Sequence, residues 1–85
     1  MKRGTLVVIS WLDAHADSGW GPVKEQTTKP QAVLSVGWVI KDTKKAIVIA
    51  ADVDPKGQGR KDDCNRTLLV PKGMVLGIAK AEVAK

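Results

Sequence analysis

The sequence predicts an all-β protein, a small and strongly bent five-stranded barrel. Three observations carry this. Short apolar and β-branched segments recur along the chain, polar stretches bearing glycine or proline separate them, and a glycine inside the second segment marks a bend. The 85 residues suffice for one compact core and are too few for two. A single domain over residues 1–85 is expected, with function on it or between copies of it.

The elements follow in order. Thr5 to Leu12 reads Thr-Leu-Val-Val-Ile-Ser-Trp-Leu, apolar or β-branched on both alternating faces, which suits a central strand. Asp13 to Pro22 is rich in breakers and turns the chain across an end of the sheet, with a helical turn around Val23 to Thr27. After Lys29-Pro30, Ala32 to Lys41 forms a second strand whose period-two set Ala32, Leu34, Val36, Trp38 and Ile40 is assigned to the core. Ser35 and Gly37 take the other face, where glycine signals a bend or the close approach of another backbone.

Lys41 to Lys45 is a polar connection into Ala46 to Val53, so these two strands should form an antiparallel hairpin. Asp54 to Arg66 carries high charge and two glycines without apolar periodicity, an exposed basic loop. Thr67 to Val70 makes a fourth strand, and Pro71-Lys72-Gly73 a tight link. Met74 to Ala79 makes a fifth, with Met74, Leu76 and Ile78 alternating. The tail from Lys80 to Lys85 frays or forms a short helix. Closing such strands into a barrel hides edges that would otherwise aggregate.

Composition narrows the class. At 44% hydrophobic and 27% charged the chain is globular rather than disordered. With 3 Trp and no Phe or Tyr, the core must be aliphatic. Trp11 and Trp38 lie in strand patterns and read as core or subunit-interface residues, whereas Trp20 sits between two glycines in a loop, where an indole can stack on a base. So small a domain has a thin stability margin, which favours a homo-oligomer. Cys64 is alone, so an intrachain disulfide and a zinc site are both excluded, and the usage fits a reducing cytoplasm. The apolar run ending at Leu12 is too short to span a membrane and is not followed by a cleavage site, so a cytoplasmic protein without membrane partners is expected.

The charge of +5, from 14 basic and 9 acidic residues with a pI near 9.6, favours anionic partners or reflects a solvated basic surface. Catalysis finds little support. His15, the only imidazole, is flanked by Asp13 and Asp17; if extended, all three point to one side and could orient a base or hold a divalent ion with a partner subunit. In a turn the carboxylates cap backbone amides instead. Asp62-Asp63-Cys64 beside Arg60, Lys61 and Arg66 reads as local charge compensation. Lys56-Gly57-Gln58-Gly59-Arg60-Lys61 looks like a phosphate-binding loop but lacks Gly-x-x-x-x-Gly-Lys-Ser/Thr and a following helix, so it suggests a cationic loop closing over phosphate rather than a nucleoside triphosphatase. A non-enzymatic binder without cofactors is expected, with Trp20, His15, Lys56, Arg60, Lys61 and Arg66 as candidate ligand contacts.

Two resemblances add to this. The order of elements from Leu6 to Ala79 resembles an Sm-like or SH3-like small barrel: a glycine in the second strand, a hairpin tip with Asp42, a variable loop, then Leu69-Val70-Pro71-Lys72-Gly73 before the last strand. Trp11, Asp13, Gly19-Trp20, Val36-Gly37-Trp38 and Val70-Pro71 are similar to positions in short accessory proteins of phages and prophages. The second resemblance implies a host-cytoplasm location and an anti-defence role. The expected function is sequestration of a phosphate-bearing small ligand, such as a nucleotide or cyclic nucleotide immune messenger, by a homo-oligomer. The alternatives are an Sm-like ring binding single-stranded RNA and a structural or inhibitory protein–protein adaptor. Last comes a small nuclease or phosphodiesterase using Asp13, His15 and Asp17.

Overall fold

A computed structural model describes residues 1–14, 19–26, 28–54 and 63–82. Five strands, β1 (Leu6–Asp13), β2 (Gln31–Asp42), β3 (Ala46–Val53), β4 (Cys64–Pro71) and β5 (Val75–Lys80), form one antiparallel sheet in the order β4-β3-β2-β1-β5. The protein is therefore all-β. Strands β4 and β5 are the two edges and do not pair with each other, so the sheet is open rather than closed into a barrel. A 3-10 turn at Val23–Glu25 lies between β1 and β2, and another at Lys72–Met74 joins β4 to β5.

The apolar makeup of β1 on both faces matches its place between two neighbours. It pairs with β2 from Leu6↔Trp38 to Asp13↔Gln31 and with β5 from Val7↔Lys80 to Trp11↔Val75. The expected hairpin is formed by β2 and β3, with Trp38 opposite Ala50 and Asp42 opposite Ile47, and a bulge between Val39 and Lys41. Its turn is held by Thr43, whose Oγ1 accepts from the backbone N–H groups of Lys45 at 3.2 Å and Ala46 at 3.1 Å. A short hydroxyl side chain stabilises a turn in this way.

The core is aliphatic and lies on one side of the sheet. Val7, Ile9, Val39, Ile47, Ile49 and Val70 are buried, and Trp11, Leu68, Val75 and Ile78 pack against them. This reverses the expectation for β2. The assigned core set is on the outer side, with Leu34 72% and Val36 59% exposed, while the side bearing Ser35, Gly37 and Val39 turns inward. The reason is steric. A β-carbon on Gly37 would stand 2.9 Å from the Ala50 carbonyl oxygen and 3.1 Å from Ile49 Cβ, so only glycine lets β3 come this close. Ser35, also inward, is satisfied by Trp11, whose Nε1 donates to its Oγ at 3.0 Å.

One strand boundary and the inward face of β5 also differ. Strand β4 begins at Cys64 rather than Thr67, because Cys64 and Asn65 continue the ladder opposite Val53 and Asp52. Residues 64–66 thus belong to the sheet, and the centre of the expected loop, 55–62, lies outside the described residues, as does the tail 83–85. In β5 the set Met74, Leu76 and Ile78 does not share the core face. A register shift between Ser10 and Trp11 brings Val75 and Ile78 inward and leaves Leu76 exposed.

The contact at Gly37 gives a direct test. Gly37→Ala should lower unfolding stability by about 1–3 kcal/mol, the usual cost of forcing extra volume into a packed site. Gly77→Ala, where an added β-carbon meets nothing within 4 Å, should change it far less. Urea unfolding of both variants checks the contrast.

Candidate functional site

The topology gathers positive charge at one end of the sheet. The β2–β3 turn carries Lys44 and Lys45, Lys41 precedes it, and the 3-10 turn after β4 brings Lys72 alongside, its backbone N–H donating to the Lys45 carbonyl oxygen at 2.8 Å. Lys2 joins the group because the N-terminal ammonium reaches the Asp42 carboxylate. Five lysines thus lie on the segments that meet at a single acid, Asp42. Lys72 Nζ bridges Asp42 Oδ1 at 2.5 Å, and the Asp42 side chain retains only 13% of its exposure. Hydrogen bonds from Lys72 and the N-terminal ammonium hold the Asp42 pKa below the ordinary 3.8. Lys41, Lys44 and Lys45 remain exposed.

Of the six candidate ligand contacts, the structure describes Trp20 and Arg66. Trp20 is fully exposed in the β1–β2 connection, which leaves the sheet at Asp13 and re-enters at Gln31. This is the far end of β2 from Asp42, about 36 Å away for an extended strand of that length. Arg66 is exposed, takes a left-handed φ of 54°, and forks onto Asp52 with Nε–Oδ2 at 2.7 Å and Nη2–Oδ1 at 3.0 Å. That pairing lowers the Asp52 pKa and raises that of Arg66, so an anion must compete with Asp52 for the guanidinium. Asp13 ends β1 opposite Gln31. His15, Asp17, Lys56, Arg60, Lys61 and Asp62 lie outside the described residues.

A cavity of about 530 Å³ opens beside the ends of β3 and β4, lined by Arg3, Trp38, Ile40, Val53, Asp54, Asp63 and Cys64 among others. Its size suits a small molecule. Its described charges are mixed, one guanidinium against two carboxylates. Among the described residues, no group of three His, Cys, Asp or Glu side chains could hold a metal ion, and no helix is long and apolar enough to cross a membrane.

No family model, curated protein or solved structure matches the chain. Function is therefore read from geometry and charge. The lysine cluster escaped the sequence reading because its members sit on three separate segments, residue 2, residues 41–45 and residue 72. The usable signal was the pair of short links at residues 43–45 and 71–73, which strand order brings to one end.

Asp42 supplies the test for this end. Its pKa is lowered by folding, so its stabilisation is present in full above the unfolded value and is lost as pH falls through the lower folded value. Asp42→Asn should cost about 1 kcal/mol at neutral pH, discounted for partial solvent screening. It should also flatten the decline of stability below about pH 4. Chemical denaturation across pH 2.5 to 7, an interval spanning roughly both limits, reads both effects.

Proposed function

We propose that this protein is a non-catalytic, self-associating binder of phosphate-bearing ligands, with the lysine-rich end of the sheet as its contact surface. The observation that carries the reading is that the segments bearing Lys2, Lys41, Lys44, Lys45 and Lys72 meet at one charge-compensated acid, Asp42. Asp42 anchors Lys72 and leaves the exposed lysines of the turn as a net positive field, which draws phosphate and repels like charge. Lys2, Lys41, Lys44 and Lys45 are exposed, and an exposed cationic surface suits a chain of phosphates better than one small anion. Single-stranded RNA is accordingly the favoured ligand class. Open edges at β4 and β5 fit the Sm-like ring reading, in which neighbouring copies rather than the chain itself complete the barrel surface.

A compact nucleotide or cyclic nucleotide is the second ligand class. The cavity beside Trp38 and Arg3 favours it through its volume and its indole wall. Asp54 and Asp63 on the same wall oppose it.

Fluorescence anisotropy with a labelled oligouridylate at two salt concentrations separates these. The lysine surface should give affinity that falls steeply with salt, with a slope of about −0.7 per phosphate neutralised. The double variant Lys44→Glu, Lys45→Glu should weaken binding by about tenfold or more and reduce the slope by roughly 1.4. Binding that ignores both salt and the variant would remove the proposal. Heat evolved only with nucleotide would transfer it to the cavity.

A further inference from the structure

Of the five lysines at the Asp42 end of the sheet, Lys72 is held differently from the rest. Lys2, Lys41, Lys44 and Lys45 are exposed, whereas the Lys72 side chain keeps 31% of its exposure. Each polar group of Lys72 is engaged. Its backbone N–H donates to the Lys45 carbonyl oxygen at 2.8 Å, its own carbonyl oxygen accepts from the Val75 N–H, and its Nζ bridges Asp42 Oδ1 at 2.5 Å. Lys72 thus touches both residues that bound the β2–β3 turn, Asp42 as the last of β2 and Lys45 as the last before β3.

Strand order gives this contact its reach. In the sheet β3 lies between β4 and β2, and Pro71 at the end of β4 is opposite Ala46 at the start of β3. Lys72 therefore leaves the sheet on the far side of β3 from Asp42, two strand spacings or about 9–10 Å away. Its bond to Asp42 ties β4 to β2 across the start of β3. Within the turn, Thr43 N–H donates to the Ala46 carbonyl oxygen at 2.9 Å, and Thr43 Oγ1 accepts from the Lys45 N–H. The Lys45 backbone is fixed from both sides, by Thr43 at its N–H and by Lys72 at its carbonyl oxygen.

Two roles are open to such a lysine, and charge separates them. As a phosphate contact it would have to exchange the Asp42 carboxylate for the ligand, trading one charge-assisted bond for another and turning Asp42 against the phosphates that displaced it. As a strap it keeps its bond and offers the ligand a turn already ordered, which lowers the ordering cost of association. We infer that Lys72 is a positioning residue rather than a phosphate contact: bonded to Asp42 across the start of β3, it fixes the turn from which Lys44 and Lys45 meet the ligand. This rests on the RNA contact of the proposed reading and assigns the roles within it.

Anisotropy with the labelled oligouridylate over a range of salt separates the two roles, because the slope counts neutralised phosphates while the affinity at one salt also carries the cost of ordering the turn. Lys72→Met, which removes the ammonium and keeps the aliphatic length, should weaken binding about fivefold with the slope unchanged. Lys72→Arg, which keeps the ion pair, should bind as wild type does. Asp42→Asn should weaken binding despite the added net positive charge, and adding it to Lys72→Met should cost no more, since the two act through one link. Amide exchange at Lys45 and Ala46 should quicken in Lys72→Met, and circular dichroism should show the sheet retained. A slope reduced by about 0.7 in Lys72→Met would make Lys72 a phosphate contact and overturn the inference. Wild-type affinity in that variant, or tighter binding by Asp42→Asn, would overturn it too. If Lys44→Glu, Lys45→Glu leaves binding intact, the proposed reading fails and this inference with it; if that variant weakens binding and Lys72→Met does not, the inference alone fails.

Discussion

Because the Ala50 carbonyl oxygen and the Ile49 side chain stand where a β-carbon on residue 37 would be, β2 can lie against β3 only with glycine facing inward. That single contact assigns the rest of the strand. With Gly37 inside, Ser35 and Val39 are inside too, and Leu34, Val36 and Trp38 are carried to the other side. Ile49 then supplies the volume that β2 lacks, and Ser35 needs a donor, which Trp11 provides. The aliphatic core of Val7, Ile9, Val39, Ile47, Ile49 and Val70 is the outcome of this choice.

Much of the fold was legible in the sequence, and where it was not the cause is physical. Strand positions, the β2–β3 hairpin and the close approach at Gly37 all follow from local pattern and turn chemistry. The inward side of β2 does not, since hydrophobicity alone favours Ala32, Leu34, Val36, Trp38 and Ile40, and only the need for backbone proximity outweighs it. In β5 the alternation failed because a bulge opposite Ser10 and Trp11 displaces one residue, and a bulge leaves no compositional mark here. Closure into a barrel depends on contact between β4 and β5, which no local pattern encodes.

The candidate site was harder to read for a related reason. Arg66 looked like one more loop cation, yet the ladder between β3 and β4 places it beside Asp52, and its charge is used locally. The turn lysines looked like an ordinary polar connection. Their significance depends on Lys72, which is distant in sequence and arrives only through the order of strands. Charge at this end is balanced at one point, Asp42, and unbalanced around it.

The pairing of β1 with β5 has a consequence for how the protein is made. The first strand, β1, receives one of its two neighbours from residues 75–80, which are synthesised after the other four strands. Until they emerge, the hairpin and β1 can associate, but Ile9 and Trp11 lack Ile78 and Val75 beside them. Vectorial synthesis therefore leaves the backbone groups along one side of β1 unpaired until the fifth strand emerges, behind the other four.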